Sequence, residues 1–232
     1  EYDAAQFVPV AAEETGDLYR EIMAVVSSIG HEHLRALLDR LFGDETFKSK
    51  FLRAPAARVW HHSYIGGLAH HVRDMASIAM RVSQTYPEID RDLLLAGVLV
   101  HDLGKVQELE VTNRIDYSDR GRLIGHIVLG AELLEERMRE IDGFPAALSL
   151  KLKHMLLRPP GSLEHGSPIG PLPIEAILLH YIDNLDAQAR GALQVLDKES
   201  ARTGRWTEYV KLLDRFIYRG DGSRAGEQTK GT

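Results

Sequence analysis

The stretch LLLAGVLVHDLGK, residues 93–105, runs apolar for eight positions and then turns to a histidine and an aspartate. Its length and all-round apolarity predict a central buried helix over 90–103, with Gly104 as its stop. Asp102 at the end of that run needs a partner. Burying an unpaired carboxylate costs several kcal/mol or forces it to take up a proton. Whatever holds Asp102 decides the chemistry.

Outward from this helix the text is helical almost throughout. Residues 14–29 put Leu18, Ile22, Val25, Val26 and Ile29 on one stripe; Gly30 breaks it and 31–42 begins again. Over 63–86 the apolar positions alternate by three and four until Pro87 ends the run. Further helices are expected at 122–141, 145–157, 172–197 and 205–218. The segments VQELEV and RIDYS, on either side of Thr112 and Asn113, predict a short hairpin. RPPGSLEHGSPIGP (158–171) reads as a loop of a length that usually serves function. The expected fold is all-α, a helical bundle with at most one short β-hairpin. Residues 1–53 form a lead and helices packing on the core, 54–218 the main domain, and 219–232 a disordered tail.

At 232 residues and 44% hydrophobic, the chain can fill one substantial core. No run approaches the roughly 20 apolar residues of a membrane span, and the first residues lack the pattern of a secretory signal. A cytoplasmic location with no membrane partner is expected. Having no cysteine rules out disulfides, thiolate metal sites and a Cys nucleophile. The charge of −6 argues against a surface that grips nucleic acid all over. It leaves room for a local track: KSKFLRAPAAR (48–58) carries Lys48, Lys50, Arg53 and Arg58 with no acid among them. Such a run reads either as a solvated face or as a guide for phosphates.

Nine of the eleven histidines fall between 61 and 180. His71, His101, His126 and His154 sit inside apolar helical text, and Asp183 sits in LLHYIDNLDA. Alone, each reads as a hydrogen-bonded core residue. Together, on separate helices and joined by Asp102, they are satisfied at once by a cluster of divalent cations. Imidazole with carboxylate suits Mn²⁺, Fe²⁺, Co²⁺, Ni²⁺ or Zn²⁺, whereas Mg²⁺ and Ca²⁺ prefer oxygen alone. Two such ions ~3.5–4 Å apart both generate hydroxide and clamp a phosphoryl group.

In order, HHSYIGGLAHHV, HDLGKV, GRLIGHI, LKHMLL, HGSP and EAILLHYIDNLDA resemble the motifs of the HD-domain superfamily of metal-dependent phosphohydrolases, and more particularly its YhaM-type 3′–5′ exoribonucleases. The likeness spans about residues 55–195. It implies a mostly helical fold and one or two divalent ions, Mn²⁺ first among them. His71, His101, Asp102 and Asp183 match the ligands of one ion; Asp102, His126 and His154 match those of a second. Lys105 matches a lysine that contacts phosphate. YhaM-type enzymes carry an oligonucleotide-binding barrel before this domain, whereas residues 1–53 here read as an extended lead and helices.

Other residues are candidates around that centre. His62, with His61 behind it in rank, either reaches the substrate or caps the following helix. His165 in the HGSP loop and Arg122 beside the hairpin, together with Arg114 and Arg120, are candidate substrate contacts. His180 and Asp186, each about one turn from Asp183, are expected to support it. The leading function is hydrolysis of phosphodiester bonds in single-stranded RNA or DNA. The alternatives are hydrolysis of a free nucleotide, such as a dNTP or nucleoside monophosphate, and a non-catalytic helical interaction module. The amphipathic segments 14–42 and 205–218 are candidate surfaces for homo-oligomerisation.

Overall fold

Helices form where the apolar stripes place them. The computed structural model describes residues 7–11, 13–157, 173–200 and 202–220. In chain order the elements begin with α1 (Thr15–Ser27), α2 (Glu32–Gly43), α3 (Glu45–Arg53), α4 (Gly67–Thr85) and α5 (Arg91–Val100). There follow α6 (Lys105–Glu108), β1 (Leu109–Val111), β2 (Ile115–Tyr117) and α7 (Asp119–Leu123). Then come α8 (His126–Arg139), α9 (Ala146–Leu156) and α10 (Ile174–Lys198). Contacts divide the chain into two units, Glu1–Asp186 and Ala187–Thr232.

In the first unit α5 is the central element. Every residue from Leu93 to Val100 is buried, so no face of this helix needs to be polar. Asp90 caps it by accepting from Leu93 N at 3.0 Å. Around it pack α2, α4 and α9. Gly97 lets Met155 of α9 lie against the helix backbone, where a Cβ would meet Met155 Cε at 2.1 Å. The core continues through Leu18, Ile22 and Val26 of α1, the Phe42–Phe47–Phe51 aromatic group, and Ala176, Leu179 and Ile182 of α10.

Boundaries differ from the sequence reading at several points, the following among them for local reasons. Helix α4 starts at Gly67, not Ser63, because the chain before it is bent by left-handed turns at His62 (φ 52°) and Gly66 (φ 86°). Ile65 between them pairs in parallel with Val10. The hairpin exists, with Leu109 opposite Tyr117 and Val111 opposite Ile115, but Lys105–Glu108 forms a helical turn before it. Gly104 is not a left-handed stop: its φ is −64°. Its lack of a side chain lets α8 approach, since a Cβ there would lie 1.8 Å from His126 O. The basic run 48–58 also contains the end of a helix, α3, capped by Asp44 at Phe47 N.

In the second unit, the helix expected over 205–218 is absent. Trp206 bridges to Tyr218 and Val210 to Arg215, both antiparallel, around a turn with Asp214 in the left-handed region. Aromatic and β-branched residues dominate this segment and favour paired, extended chain over helix. Among the described residues, no helix is long and apolar enough to cross a membrane.

Candidate metal centre

His101 and Asp102 occupy the turn that follows the C-terminal end of α5, so the apolar helix delivers them to its own tip. Around that tip lie His71 from α4, Asp183 from α10 and His126 from the start of α8. His71 Nε2 is 3.3 Å from Asp183 Oδ1 and 3.7 Å from Asp102 Oδ2. His101 Nε2 is 3.3 Å from the same Asp102 oxygen. His71, His101 and Asp183 thus bring ligand atoms within 4.8 Å of one another, close enough to hold an ion, with Asp102 beside them. Yet both Nε2 atoms are buried without a hydrogen-bond partner.

The opposite ring nitrogens explain why. His101 Nδ1 donates to Val98 O at 2.9 Å, and His71 Nδ1 donates to Asp186 Oδ2 at 2.7 Å. Each bond fixes the tautomer and leaves Nε2 as the free lone pair, the arrangement of metal-ligating histidines. His126 repeats it. Its Nδ1 donates to Glu108 Oε1 at 2.8 Å, and its Nε2 points toward Asp102 Oδ1 at 3.9 Å. The backbone N–H of His126 donates to the same Glu108 oxygen at 3.1 Å. Asp102 therefore offers one oxygen to His71 and His101 and the other to His126.

The local field favours a cation. Burial alone would raise the Asp102 carboxyl, but Lys105, 2.6 Å away, and His101 hold it well below the usual carboxylate range. Burial would likewise lower His71, yet the Asp183 and Asp186 carboxylates raise it to about 9. The point faced by His71 Nε2 takes positive charge readily, whether a proton or a metal. Burial opposes the charge on Lys105 as well, and Asp102 outweighs it, raising Lys105 above its ordinary value.

Behind His71 lies a buried chain of hydrogen bonds. Asp186 Oδ2 also accepts from His62 Nε2 at 3.0 Å. His62 Nδ1 accepts from the Tyr64 hydroxyl at 2.8 Å, and Tyr64 in turn accepts from His70 Nδ1 at 2.7 Å. His70 faces Asp74, which Arg73 ties to Glu21 and Glu13 on the surface. His62, His71 and Asp186 also lie close enough together to hold an ion. Their direct bonds make them a support for His71 instead.

This geometry revises several expectations. His62 is buried with both ring nitrogens engaged, so it backs His71 and does not reach a substrate. The left-handed turn at His62 sends that ring inward. His61 is the one beside the centre, its ring 5.4 Å from that of His71. Burial, then His71 and Lys105, push His61 down to about 4, so it stays neutral. Asp186 bonds to His71. His180 Nδ1 is buried without a hydrogen-bond partner among the described residues, so it gives Asp183 no bond through that atom. Arg122 is exposed, bonded to Asp116 at 2.8 Å and held over the Tyr117 ring. His154 stands in the last turn of α9; the described His and carboxylate groups that converge within 4.8 Å do not include it. His165 lies outside the described residues. Sequence reasoning missed Glu108, which looked like part of a strand and carries no signal for its bond to His126, 18 positions on.

Residues 68–188, more than half of the chain, match the family model of the HD domain, a span that runs from the first turn of α4 to just past Asp186. No solved structure matches the chain significantly. The match contains His71, His101, Asp102, His126 and Asp183, the side chains that the fold gathers at the tip of α5. The chain belongs to the HD-domain family, whose members are typically metal-dependent phosphohydrolases.

Proposed function

We propose that this protein hydrolyses phosphodiester bonds, acting as a 3′–5′ exonuclease on single-stranded RNA or DNA. The observation that carries the reading is the pair of orphaned Nε2 atoms, on His71 and His101, facing Asp102 and Asp183. Such a donor set suits Mn²⁺, Fe²⁺, Co²⁺, Ni²⁺ or Zn²⁺. When bound, an ion of this kind supplies Lewis acidity toward a phosphoryl oxygen and acidifies water. His71, His101, Asp102 and Asp183 would hold it; His126, whose Nε2 faces the other Asp102 oxygen, would be a further donor for a second.

The chain's own groups do the rest. Lys105 stays charged beside Asp102, where it stabilises the negative charge that builds on phosphoryl oxygens. Asp186, Glu108 and Val98 O hold the three imidazoles in their working tautomers. The resemblance of the ordered motifs to those of YhaM-type exoribonucleases supports a polynucleotide substrate; the net charge of −6 favours the second reading, a free nucleotide.

The test is to remove metal with chelator and restore Mn²⁺, Fe²⁺, Co²⁺, Ni²⁺ and Zn²⁺ one at a time. The protein is then given a labelled oligonucleotide and, separately, a panel of nucleotides. Stepwise shortening from the 3′ end is expected, and Asp102→Ala should lose both metal and turnover while keeping its helical content. Failure of the parent to take up any of these ions, or hydrolysis by Asp102→Ala at the parent rate, would refute the proposal. Consumption of nucleotides alone would select the second reading.

A further inference from the structure

The basic run 48–58 divides on folding. Lys48 turns inward to Glu45 and the Tyr19 ring. Lys50, Arg53 and Arg58 are exposed, and none forms an ion pair with a described residue. In a chain with six excess negative charges, Lys50 and Arg53, side by side on the last turn of α3 with no acid paired to them, need a reason.

Their surroundings supply it. Lys50 and Arg53 stand on the rim of a cavity of about 210 Å³ whose floor is Pro55, Ile65, Val106 and Leu109. Val106 stands on α6, the helical turn that Lys105 opens. Its volume is below the ~300–1,000 Å³ of sites that enclose a small molecule. A ligand using it is held in part, with the remainder running over the surface.

The surface continues onto the hairpin. Arg58 and Arg122 both lie over the Tyr117 ring, each 5.7 Å from its centre. Asp116 fixes Arg122 and Arg114 there, at 2.8 and 3.1 Å. Tyr117 is 37% exposed. It is joined to the centre through Ser118, whose N–H donates to Glu108 O, and Glu108 holds His126. Cations spaced along a groove that ends on an aromatic platform is the pattern by which proteins follow a single strand without reading its sequence.

We infer that the face formed by α3, residues 54–58 and the β-hairpin binds a single-stranded polynucleotide, Lys50 and Arg53 taking phosphates and Tyr117 with its two arginines stacking a base. This rests on reading the centre as a phosphodiesterase, because it names that centre's substrate as a polymer several nucleotides long. It predicts affinity that grows with strand length.

The experiment is fluorescence anisotropy on the full-length protein as purified, with a labelled 12-nucleotide thymidine strand made resistant to cleavage by phosphorothioate linkages. Each phosphate contact contributes ~0.7 to the slope of log affinity against log salt. Lys50→Gln with Arg53→Gln should therefore flatten the slope by ~1.4. Tyr117→Ala should weaken binding roughly 5- to 150-fold, while Tyr117→Phe keeps the parent affinity. Thymidine monophosphate should compete poorly. An unchanged slope in the double variant, or equal competition by the mononucleotide, overturns the inference. If a small phosphodiester is hydrolysed while the slope stays unchanged, the surface fails and the chemistry stands. If the strand binds as described and nothing is hydrolysed, the phosphodiesterase reading fails and the surface stands.

Discussion

Asp186→Asn tests whether the residue behind His71 tunes the centre. One Asp186 oxygen accepts from two imidazoles, at 2.7 and 3.0 Å, and the residue is 4% exposed, so water cannot replace either bond. The substitution keeps shape and one acceptor but removes the charge. Hydrogen bonds to a charged group contribute ~1.5–3 kcal/mol and neutral ones ~0.5–1.5, so each bond loses about 1 kcal/mol. Two bonds give about 2 kcal/mol, which is about 30-fold in metal dissociation constant. That falls within the ~10–100-fold cost usual for a group that orients a ligand histidine. The loss should appear as weaker Mn²⁺ or Zn²⁺ retention against a chromophoric chelator, with the far-ultraviolet circular dichroism of the parent. A variant that binds metal within threefold of the parent, folded and helical, would show that Asp186 does not act through His71.

Two further substitutions probe the frame. At Gly104 a methyl group would lie 1.8 Å from His126 O and 2.7 Å from Gly130 N, both backbone, so Gly104→Ala forces α8 away from Asp102. Overpacking of this kind costs ~1–3 kcal/mol; thermal melting should show it, and Gly97→Ala should lose less, because it meets only the flexible tip of Met155. Tyr64→Phe removes the hydroxyl that joins His62 Nδ1 to His70 Nδ1. Leaving buried ring nitrogens unsatisfied costs ~1–3 kcal/mol, so urea unfolding should report a lower midpoint while metal binding falls less than in Asp186→Asn.

The fold was legible because its dominant signals are local. The apolar run of α5, the three-four spacing of α4 and the Pro87 stop act within a few residues, and the structure follows them. The failures are also physical. Residues 205–218 carry apolar positions that suit either period, and paired extended chain was the better use of their aromatic and β-branched side chains. Gly104 looked like a helix stop from sequence alone, since nothing there shows that another helix's backbone will come within 2 Å of its missing Cβ.

The centre was legible for a different reason. Polar residues set into apolar helices are expensive, so each such histidine or aspartate announces a partner even when the partner is distant. That logic nominates His71, His101, Asp102, His126 and Asp183, and it marks His62 and Asp186 as buried polar groups without saying whom they serve. The pairing of Asp186 with His71 spans 115 positions and with His62 spans 124. Helical spacing pointed Asp186 at its neighbour Asp183, one turn away, yet two carboxylates so placed would repel. The stable arrangement divides them. Asp183 faces the cation point with His71 Nε2, and Asp186 takes the proton on His71 Nδ1, so one imidazole stands between two acids and each acid has a positive or donating group to meet. Local periodicity can therefore nominate candidate ligands of such a centre, while electrostatics across the fold decides which acids face the candidate ion position and which hold the histidines in place.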